Sequence, residues 1–326
     1  MRPKVSIIIV NYNSRDIVKC IKSIKNNKFP QDRVEIIVVD NKSSDDSLKQ
    51  IRNYPGVAIV ELDKNYGYGI GCNEGAHISR GEYLVFLTPD NIVSKNWLSN
   101  LVDGIDNNKS IGTVTSKVMY YGDRNKINSL GCFLTIYGIC GSVNSIEHLE
   151  SNTFSVFAPS GASFIIAKKT FDKIGGFDKN LFLYAEDVDI GWRVLNLGLI
   201  NILAPNSITY HKSELSTVSK MPHFYFYNTR NNFLIIFKNA TFPQIIPMLI
   251  FSSFFHLGRL ATFILTGRIS QATATFNGIW WLIPNFWQVI KIRNSTKNRN
   301  RLYIKAVTGF IQSIPIILSK ISKHLS

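Results

Sequence analysis

Three carboxylates lie within four positions near the middle of the chain: Glu186, Asp187 and Asp189. Like charges at this spacing raise one another's pKa and cost stability unless a cation, a metal ion or a substrate proton compensates. A further carboxylate, Asp90, follows soon after the apolar run at residues 83–87. Carboxylates in such places can bind a divalent cation or act as a general base. Together they predict a chemical site rather than two solvated turns.

Four apolar runs predict the elements that position these side chains. The runs are short, rich in β-branched residues and almost uninterrupted, as expected of strands buried on both faces of a parallel sheet. Helical patterns alternate with them, which predicts an α/β fold with a Rossmann-like, mostly parallel, doubly wound sheet. Ligands of such sheets bind beyond the carboxyl ends of the strands. The runs are residues 5–10, 34–39, 57–62 and 83–87, and the polar residues just beyond them are Asn11, Asp40, Asn65 and Asp90.

The acidic segment itself begins a predicted helix. Apolar residues recur at helical spacing after Asp187 and Gly198 ends the pattern, so Glu186 and Asp187 lie at a helix N-terminus. The helix dipole favours carboxylates there, and a capping role is therefore the structural alternative. Capping accounts for one acid only. Asp189 is expected to pair with Arg193, four residues further along the helix.

A glycine-rich segment, residues 65–73, separates the third run from the fourth. Position 72 is cysteine and the segment does not follow the first strand, which excludes a nicotinamide-binding fingerprint. Glycines before a helix still let backbone amides approach a diphosphate. We therefore expect Asn65, Gly67 and Asn73 to contact a nucleotide ligand, with a mobile loop as the alternative.

The net charge of +15 belongs to the C-terminal third of the 326-residue chain. Residues 215–326 carry 13 Lys or Arg and no Asp or Glu, whereas residues 1–214 are close to neutral. Uncharged stretches of 20 and 22 residues, at 239–258 and 269–290, interrupt these cations. Such a mixture is typical of segments that bind a membrane surface and argues against a nucleic-acid partner.

Residues 239–326 are therefore expected to form a basic, apolar, helical membrane-associating region that follows a catalytic domain at residues 1–238. Prolines and polar residues within the apolar stretches favour interfacial or re-entrant helices, with a spanning hairpin or a soluble helical bundle as alternatives. An amphipathic face is expected over residues 307–325. The cysteines lack paired zinc spacing, which argues against a disulfide scaffold or a metal finger. The first residues lack a signal-peptide pattern, so we expect the catalytic domain at the cytoplasmic face of the cell membrane.

Six motifs resemble, in order and spacing, those of the family 2 glycosyltransferases. They read SIIIVNYNS, IIVVDNKSSD, NYGYGIGCNEG, YLVFLTPDN, GASFIIAKKTFDKIGGFD and LYAEDVDIGWR, and the likeness extends over roughly residues 4–238. It is nearest to the rhamnosyltransferase-like branch, which builds surface polysaccharides and lipid-linked glycans. The resemblance implies a GT-A fold, a nucleotide-sugar donor, Mg²⁺ or Mn²⁺ as cofactor, and inverting transfer to a lipid-linked or oligosaccharide acceptor.

The resemblance also implies roles for residues around the donor. Val10, Tyr12 and Asp40 are expected to hold its base and ribose. The family's Asp-x-Asp motif falls on residues 88–90, where only the last aspartate remains, so Asp90 takes the metal-binding role. A divalent cation there would neutralise the leaving diphosphate. His211 is expected near the metal or diphosphate, with a structural histidine as the alternative.

The remaining implied roles concern catalysis. Asp187 would remove the proton of the acceptor hydroxyl as that hydroxyl attacks the anomeric carbon. Glu186 would orient Asp187 or bind acceptor hydroxyls. Arg230 belongs to a segment that resembles the branch's Tyr-x-x-Arg-Asn element, and it could bind donor phosphate or serve as an interfacial anchor among aromatic rings.

Two other functions remain open from the residues alone. A sugar-nucleotide-forming nucleotidyltransferase could use the same sheet and metal carboxylate, but it would want a basic, glycine-rich loop after the first strand, where residues 11–14 read Asn-Tyr-Asn-Ser. A non-enzymatic protein that binds anionic lipid would explain the C-terminal region and leave the acidic cluster unexplained.

Overall fold

The computed structural model describes residues 3–145, 154–212 and 221–295. A ten-stranded mixed sheet forms its centre, in the order β10-β12-β6-β11-β4-β1-β2-β3, with β5 added beside β12 and β7 beside β6. Two short strands, β8 and β9, form a separate ribbon. The strands are β1 (Val5–Asn11), β2 (Val34–Asp40), β3 (Val57–Glu61), β4 (Tyr83–Leu87), β5 (Asn91–Val93), β6 (Ile111–Tyr120), β7 (Ile127–Ser129), β8 (Cys132–Leu134), β9 (Cys140–Ser142), β10 (Ser155–Val156), β11 (Ser163–Ala167) and β12 (Ile200–His211).

The strand directions bring several chain segments to one edge of the sheet. Strands β3, β2, β1 and β4 are mutually parallel, and β11 is antiparallel to both β4 and β6. Strand β12 is parallel to β6 and therefore runs in the same direction as β4. The carboxyl ends of β1, β2, β4 and β12 thus share an edge with the start of β11.

Helices cover both faces of the sheet, and strands β1 and β4 are therefore buried on both sides. The N-terminal helices are α1 (Ile17–Lys25), α2 (Ser47–Arg52), α3 (Tyr68–Ile78), α4 (Trp97–Asp106), α5 (Lys168–Ile174) and α6 (Glu186–Asn196). Along β1, Ile7 and Ile9 belong to one core cluster with α1 and α4, while Ile8 and Val10 belong to another with α3 and α5. The prediction of an α/β fold with a doubly covered sheet is confirmed.

The last strand of the sheet continues past a proline. Strand β12 extends from Ile200 to His211 and contains Pro205. A register shift between Ala204 and Ile208 lets the strand continue past Pro205, which lacks the N–H that a regular ladder requires. His211 is therefore fixed in a strand and pairs with Asn91 of β5.

Four further helices follow: α7 (Pro222–Asn239), α8 (Phe242–Leu265), α9 (Ile269–Trp280) and α10 (Phe286–Ser295). They contact the sheet-bearing part through a shared core in which Val188 and Trp192 of α6 belong to the same cluster as Ile235, Met248 and Val289. The predicted boundary at residue 238 falls in the last turn of α7, and the division into two domains stays a prediction. The amphipathic face expected at residues 307–325 lies outside the described residues.

Helix α8 buries several polar side chains against α7 and exposes many of its large apolar side chains. Ser252 and His256 are buried and contact Asn232 of α7, and Arg259 donates to Thr229. Large apolar residues on the opposite side are exposed, among them Phe242 (78%), Phe254 (69%) and Leu265 (85%). Of the helices that the structure describes, α8 alone is long and apolar enough to cross a membrane. The stretch at residues 269–290 is instead divided between α9 and α10.

Candidate active site

A carboxylate and an imidazole meet at the shared edge of the sheet. Asp90, in the turn after β4, places Oδ2 3.0 Å from Nε2 of His211 at the end of β12. The Thr88 hydroxyl donates to the other Asp90 oxygen at 2.8 Å. Burial acts to raise the pKa of Asp90, but the hydrogen bonds from His211 and from the Thr88 hydroxyl hold this pKa below its ordinary value. Asp90 is therefore an anion that can accept a cation.

The donor set fits a divalent metal whose coordination is completed by substrate. A carboxylate oxygen and an imidazole nitrogen suit Mn²⁺, and carboxylate with phosphate oxygens suits Mg²⁺. Within residues 3–145, 154–212 and 221–295, no group of three His, Cys, Asp or Glu side chains could hold a metal. The remaining ligands would thus come from diphosphate oxygens and water, as is usual for Mg²⁺ bound with substrate phosphates.

The ends of β1 and β2 are joined by a buried polar cluster. Asp40 is 1% exposed and accepts hydrogen bonds from the Asn11 amide at 2.8 Å and from the Ser43 hydroxyl at 2.6 Å. Its second oxygen accepts from the Ser43 backbone amide. Tyr12 is half-exposed beside this cluster, whereas the Val10 side chain is buried in the sheet. Asp40 thus shapes the loop after β2, and contact of these three residues with a base remains a prediction.

The glycine-rich segment is a close-packed start of α3 and not a mobile loop. Gly67 has φ +88°, and its N–H donates to Asn65 Oδ1 at 2.9 Å. A Cβ on Gly71 would lie 2.8 Å from Val10 Cγ1, so this glycine lets α3 approach β1. The Gly67 amide thus has a protein partner, and contact of Asn65 and Gly67 with the donor stays a prediction. Asn65 lies at the same turn.

Asn73 also has a structural part. Its Nδ2 donates to the Phe177 carbonyl at 2.9 Å and its Oδ1 accepts from the Phe177 amide at 2.8 Å. Both ends of the side-chain amide thereby clamp the turn after α5 onto α3. Contact between Asn73 and the donor stays a prediction.

Asp187 is held by donors on both of its oxygens. Oδ2 accepts from the Gly161 amide at 2.9 Å and from the Cys132 thiol at 3.5 Å, and Oδ1 accepts from the Val188 amide at 2.8 Å. Burial raises the pKa of the Asp187 carboxyl, and these three hydrogen bonds partly oppose the rise. A carboxylate that is positioned in this way and made more basic by burial suits proton abstraction.

Two consecutive residues connect the acidic site to the metal-binding pair. Gly161 contacts Asp187, and the carbonyl of the next residue, Ala162, accepts from the Thr88 amide at 3.1 Å. Because residues 161 and 162 lead into β11, they lie at the edge where β4 ends. Hydrogen bonds at one edge of the sheet thus connect the segments that carry Asp187 and Asp90.

Glu186 has the fewest hydrogen-bond partners of the three neighbouring acids in the part of the chain that the structure describes. Within the described residues, its Oε2 is buried and has no hydrogen-bond partner. Burial, together with the Asp187 carboxylate, raises the pKa of Glu186 to about 8. At neutral pH this group is mostly protonated, and it can donate a hydrogen bond that an ionised carboxylate could not.

Asp189 has a structural role, and its predicted pairing is confirmed. The Arg193 guanidinium lies 2.6 Å from it, while Lys238 and Asn239 of α7 approach within 2.9 and 2.8 Å. Burial alone would raise the pKa of Asp189, but the charges of Arg193 and Lys238 hold it well below its ordinary value. Asp189 therefore joins α6 to α7 and is not a candidate for the catalytic base.

Arg230 lies among aromatic rings. Its guanidinium is 5.0 Å from the ring centre of Tyr227 and 5.3 Å from that of Trp281, and it donates to the Asn180 carbonyl at 2.9 Å. The side chain is buried. This environment favours the anchor alternative over contact with donor phosphate.

Sequence reasoning missed two side chains of the site. Cys132 contacts Asp187 from β8, within residues 111–157, where no pattern indicated chemistry. Tyr68, at the start of α3, donates to the Gly161 carbonyl at 3.2 Å, and burial raises the pKa of its phenol. The glycine-rich pattern around Tyr68 indicated a functional segment, but it predicted a role for backbone amides and not for the Tyr68 side chain.

This fold is that of the GT-A glycosyltransferases. The family model described as Glycosyl transferase family 2 matches residues 6–175, more than half of the chain, and the chain belongs to this family. Similar solved structures include the mannosyltransferase PcManGT from Pyrobaculum calidifontis in complex with GDP-Man and Mn²⁺, with a TM-score of 0.59, 18% identity, and coverage of 96% of this chain and 88% of that one. S. aureus TarS 1-349 in complex with UDP-GlcNAc also has a TM-score of 0.59, with 20% identity and coverage of 94% and 89%. At such identities the likeness shows the fold.

Relatives in sequence extend the comparison. The probable glycosyltransferase YdaM of Bacillus subtilis (strain 168) is 28% identical over 64% of this chain. The N-acetylglucosaminyl-diphospho-decaprenol L-rhamnosyltransferase of Mycobacterium tuberculosis (strain ATCC 25618 / H37Rv) is 23% identical over 56% of this chain and 68% of its own length. The chain spans about half of YdaM, 51% of its length.

Proposed function

We propose that this protein is an inverting glycosyltransferase that moves a sugar from a nucleotide-sugar donor to a glycan acceptor. The observation that carries the proposal is the meeting of two acidic centres at one sheet edge. Asp187 lies beside Gly161, and the adjoining Ala162 contacts Thr88 beside Asp90. Transfer needs both a base for the acceptor and a cation site for the leaving diphosphate.

Asp187 acts as the base in this proposal. It takes the proton of the acceptor hydroxyl while the hydroxyl oxygen forms a bond to the anomeric carbon. The bond from that carbon to the diphosphate oxygen breaks on the opposite face, so the configuration inverts and a nucleoside diphosphate leaves. The Gly161 and Val188 amides keep the Asp187 oxygens in place before the acceptor arrives.

Asp90 and His211 would hold the divalent cation. When bound, Mg²⁺ or Mn²⁺ would neutralise charge that develops on the leaving diphosphate. Asp40, Val10 and Tyr12 lie at the neighbouring strand ends and are proposed to form the floor for the nucleoside. For Asp40 this role is indirect, because its oxygens already bind Asn11 and Ser43.

Glu186 is proposed to bind the acceptor. Its buried oxygen without a partner is costly, and an acceptor hydroxyl would relieve that cost. In its protonated form Glu186 can donate to a hydroxyl oxygen while Asp187 accepts a proton. The two acids then have separate parts, set by their environments.

A membrane-bound, lipid-linked acceptor is the finer part of the proposal. The exposed apolar side of α8 would lie in the interface of a cytoplasmic membrane face, and its polar side would remain on α7. Contact of His256 and Ser252 with Asn232, which itself binds the Gly138 carbonyl, supports an interfacial helix over a spanning one. A relative whose name includes a decaprenol-linked substrate supports the acceptor class.

A single assay tests the proposed function. Full-length protein would be incubated with UDP-, GDP- and dTDP-sugars, Mn²⁺ and membrane lipid extract, and nucleoside diphosphate and glycosylated product would be measured. Mn²⁺-dependent release of nucleoside diphosphate, with product of inverted anomeric configuration, is expected. Release of inorganic diphosphate from sugar phosphate and nucleoside triphosphate would instead indicate a nucleotidyltransferase. If no sugar nucleotide is turned over, the result would favour the alternative of a non-enzymatic protein that binds anionic lipid.

A further inference from the structure

Two consecutive residues with left-handed backbone conformations lie immediately before the carboxylate pair. Tyr184 has φ +69° and Ala185 has φ +66°, and Ala185 is the N-cap of α6, whose first residue is Glu186. Such conformations are disfavoured for residues that carry a Cβ. They persist only where surrounding contacts hold them, and they are found at functional sites.

One side chain holds this turn. Asn231 of α7 is fully buried, and its Nδ2 donates to the Leu183 carbonyl at 2.8 Å and to the Tyr184 carbonyl at 2.7 Å. Its Oδ1 accepts from Arg230 Nε at 2.8 Å, which fixes the orientation of the amide. Both hydrogens of one amide group are thus directed at the two carbonyls that precede Ala185.

Other contacts of α7 hold the same segment from both sides. The rings of Phe182 and Tyr227 stack at 5.2 Å, and those of Tyr184 and Phe224 meet edge to face at 5.0 Å. Beyond the carboxylates, Lys238 of α7 binds Asp189. Helix α7 thus contacts the chain both before and after Glu186 and Asp187. Small changes in these contacts would therefore change the orientation of the two carboxyl groups.

We propose that Asn231 is a positioning residue for Glu186 and Asp187, which acts by holding the left-handed turn at Tyr184 and Ala185. This inference rests on the proposed glycosyl transfer. Asn231 acts through backbone carbonyls and does not touch donor or acceptor. Its effect should therefore appear in the chemical step and leave donor binding nearly unchanged, because misplacement of a catalytic group by ~1 Å can cost about 10²-fold in rate.

The test uses four full-length proteins: Asn231→Ala, Ala185→Gly, the double variant, and the control Asn228→Ala on the same helix. Asn228 accepts from Arg259 on the α8 side, and within the described residues no hydrogen bond joins its side chain to the turn. Asn231→Ala should lower kcat roughly 10- to 100-fold with less than about a threefold change in donor KM. Glycine adopts positive φ without strain, so adding Ala185→Gly should restore kcat to within about fivefold of wild type. Asn228→Ala should retain wild-type kcat.

A thermal double-mutant cycle separates this inference from the proposed function. Ala185→Gly should raise the Tm more in the Asn231→Ala background than in wild type, whether or not any donor is turned over. Absence of that coupling would overturn the inference, as would an Asn231→Ala kcat equal to that of Asn228→Ala or a loss that glycine does not restore. If Asn231→Ala fails to fold, a folded and active double variant supports the inference and an unfolded one overturns it. Lack of turnover in wild type alone would refute the glycosyl transfer and leave the thermal cycle to decide on Asn231.

Discussion

Asp90 Oδ2 lies 3.0 Å from His211 Nε2, although the two residues belong to distant parts of the chain. Strand direction explains the meeting, since β4 and β12 run the same way and end at one edge of the sheet. The pair is partly exposed and borders the turn through which Thr88 reaches Ala162. We interpret it as the protein's share of a cation site whose other ligands belong to the donor.

Replacing either member of the pair should weaken nucleotide binding only when a cation is present. Asp90→Asn and His211→Ala are each expected to reduce Mn²⁺-dependent affinity for UDP, GDP or dTDP. Because both would act on one cation, their effects should be less than additive, with a coupling of about 1 kcal/mol or more. Calorimetric titration with and without Mn²⁺ measures this, with the exposed Asp123→Asn as control. Unchanged Mn²⁺-dependent affinity in Asp90→Asn would remove Asp90 from the cation site.

Glu186 should make the folded protein less stable as pH rises. Its folded pKa of about 8 lies above the ordinary value of 4.5, so between these values the unfolded chain loses the proton while the folded chain keeps it. Folding stability therefore falls as pH rises through this window, and the full penalty is present above pH 8. Glu186→Gln removes the titration.

Urea unfolding without metal or nucleotide tests this pH dependence. The free energy of unfolding of Glu186→Gln, relative to wild type, should increase from about pH 5 to about pH 8 by on the order of a few kcal/mol. The exposed Glu74→Gln on α3 is the matched control and should show no such trend. An equally flat difference for both variants would mean that Glu186 is ionised in the folded protein at neutral pH.

The exposed apolar side of α8 should bind lipid. Phe254→Ser and Leu265→Ser are each expected to weaken binding to phosphatidylglycerol vesicles at high salt by about tenfold or more, because each removes a large apolar group from the interface. The control Ile78→Ser removes a similar exposed side chain from α3, which is distant in sequence from α8, and it should leave vesicle binding unchanged. Vesicle co-sedimentation gives the affinities. Equal binding by all three variants and wild type would contradict an α8 interface.

Salt and alkali separate an interfacial helix from a spanning one. An interfacial α8 should allow extraction of the protein by alkaline carbonate, whereas a membrane-spanning α8 would resist it.

Deleting residues 239–326 is a poor test, because Ile245, Met248 and Val289 belong to the core cluster that contains Trp192. Such a deletion would destabilise α6 and the carboxylates that it carries.

Local pattern was sufficient for the four parallel strands β1 to β4 and for the ion pair inside α6. Continuous apolar runs predict buried parallel strands, and the spacing of Asp189 and Arg193 predicts their contact, since both depend on short-range geometry. The edge position of Asp90 followed from strand order. These features need no knowledge of distant partners.

Contacts between distant segments could not be predicted in this way. Cys132 reaches Asp187 from a hairpin without a chemical motif, and Asn73 bonds to Phe177 across a long separation in sequence. A glycine pattern does not reveal whether the missing side chain admits a ligand or a neighbouring strand. At Gly71 the neighbour is Val10. Recognition of the donor sugar and of the acceptor depends on such contacts between distant segments, so sequence patterns did not identify either molecule.

The most direct test of the account is sugar-nucleotide turnover by Asp187→Asn. With Mn²⁺, the donor identified for the wild-type protein and saturating acceptor, this variant should lose about two to four orders of magnitude in kcat and keep its affinity for the nucleoside diphosphate. The exposed Asp103→Asn on α4 controls for a general effect of losing one negative charge. Retention of a third or more of wild-type turnover by Asp187→Asn would contradict the assignment of the base and, with it, the proposed mechanism.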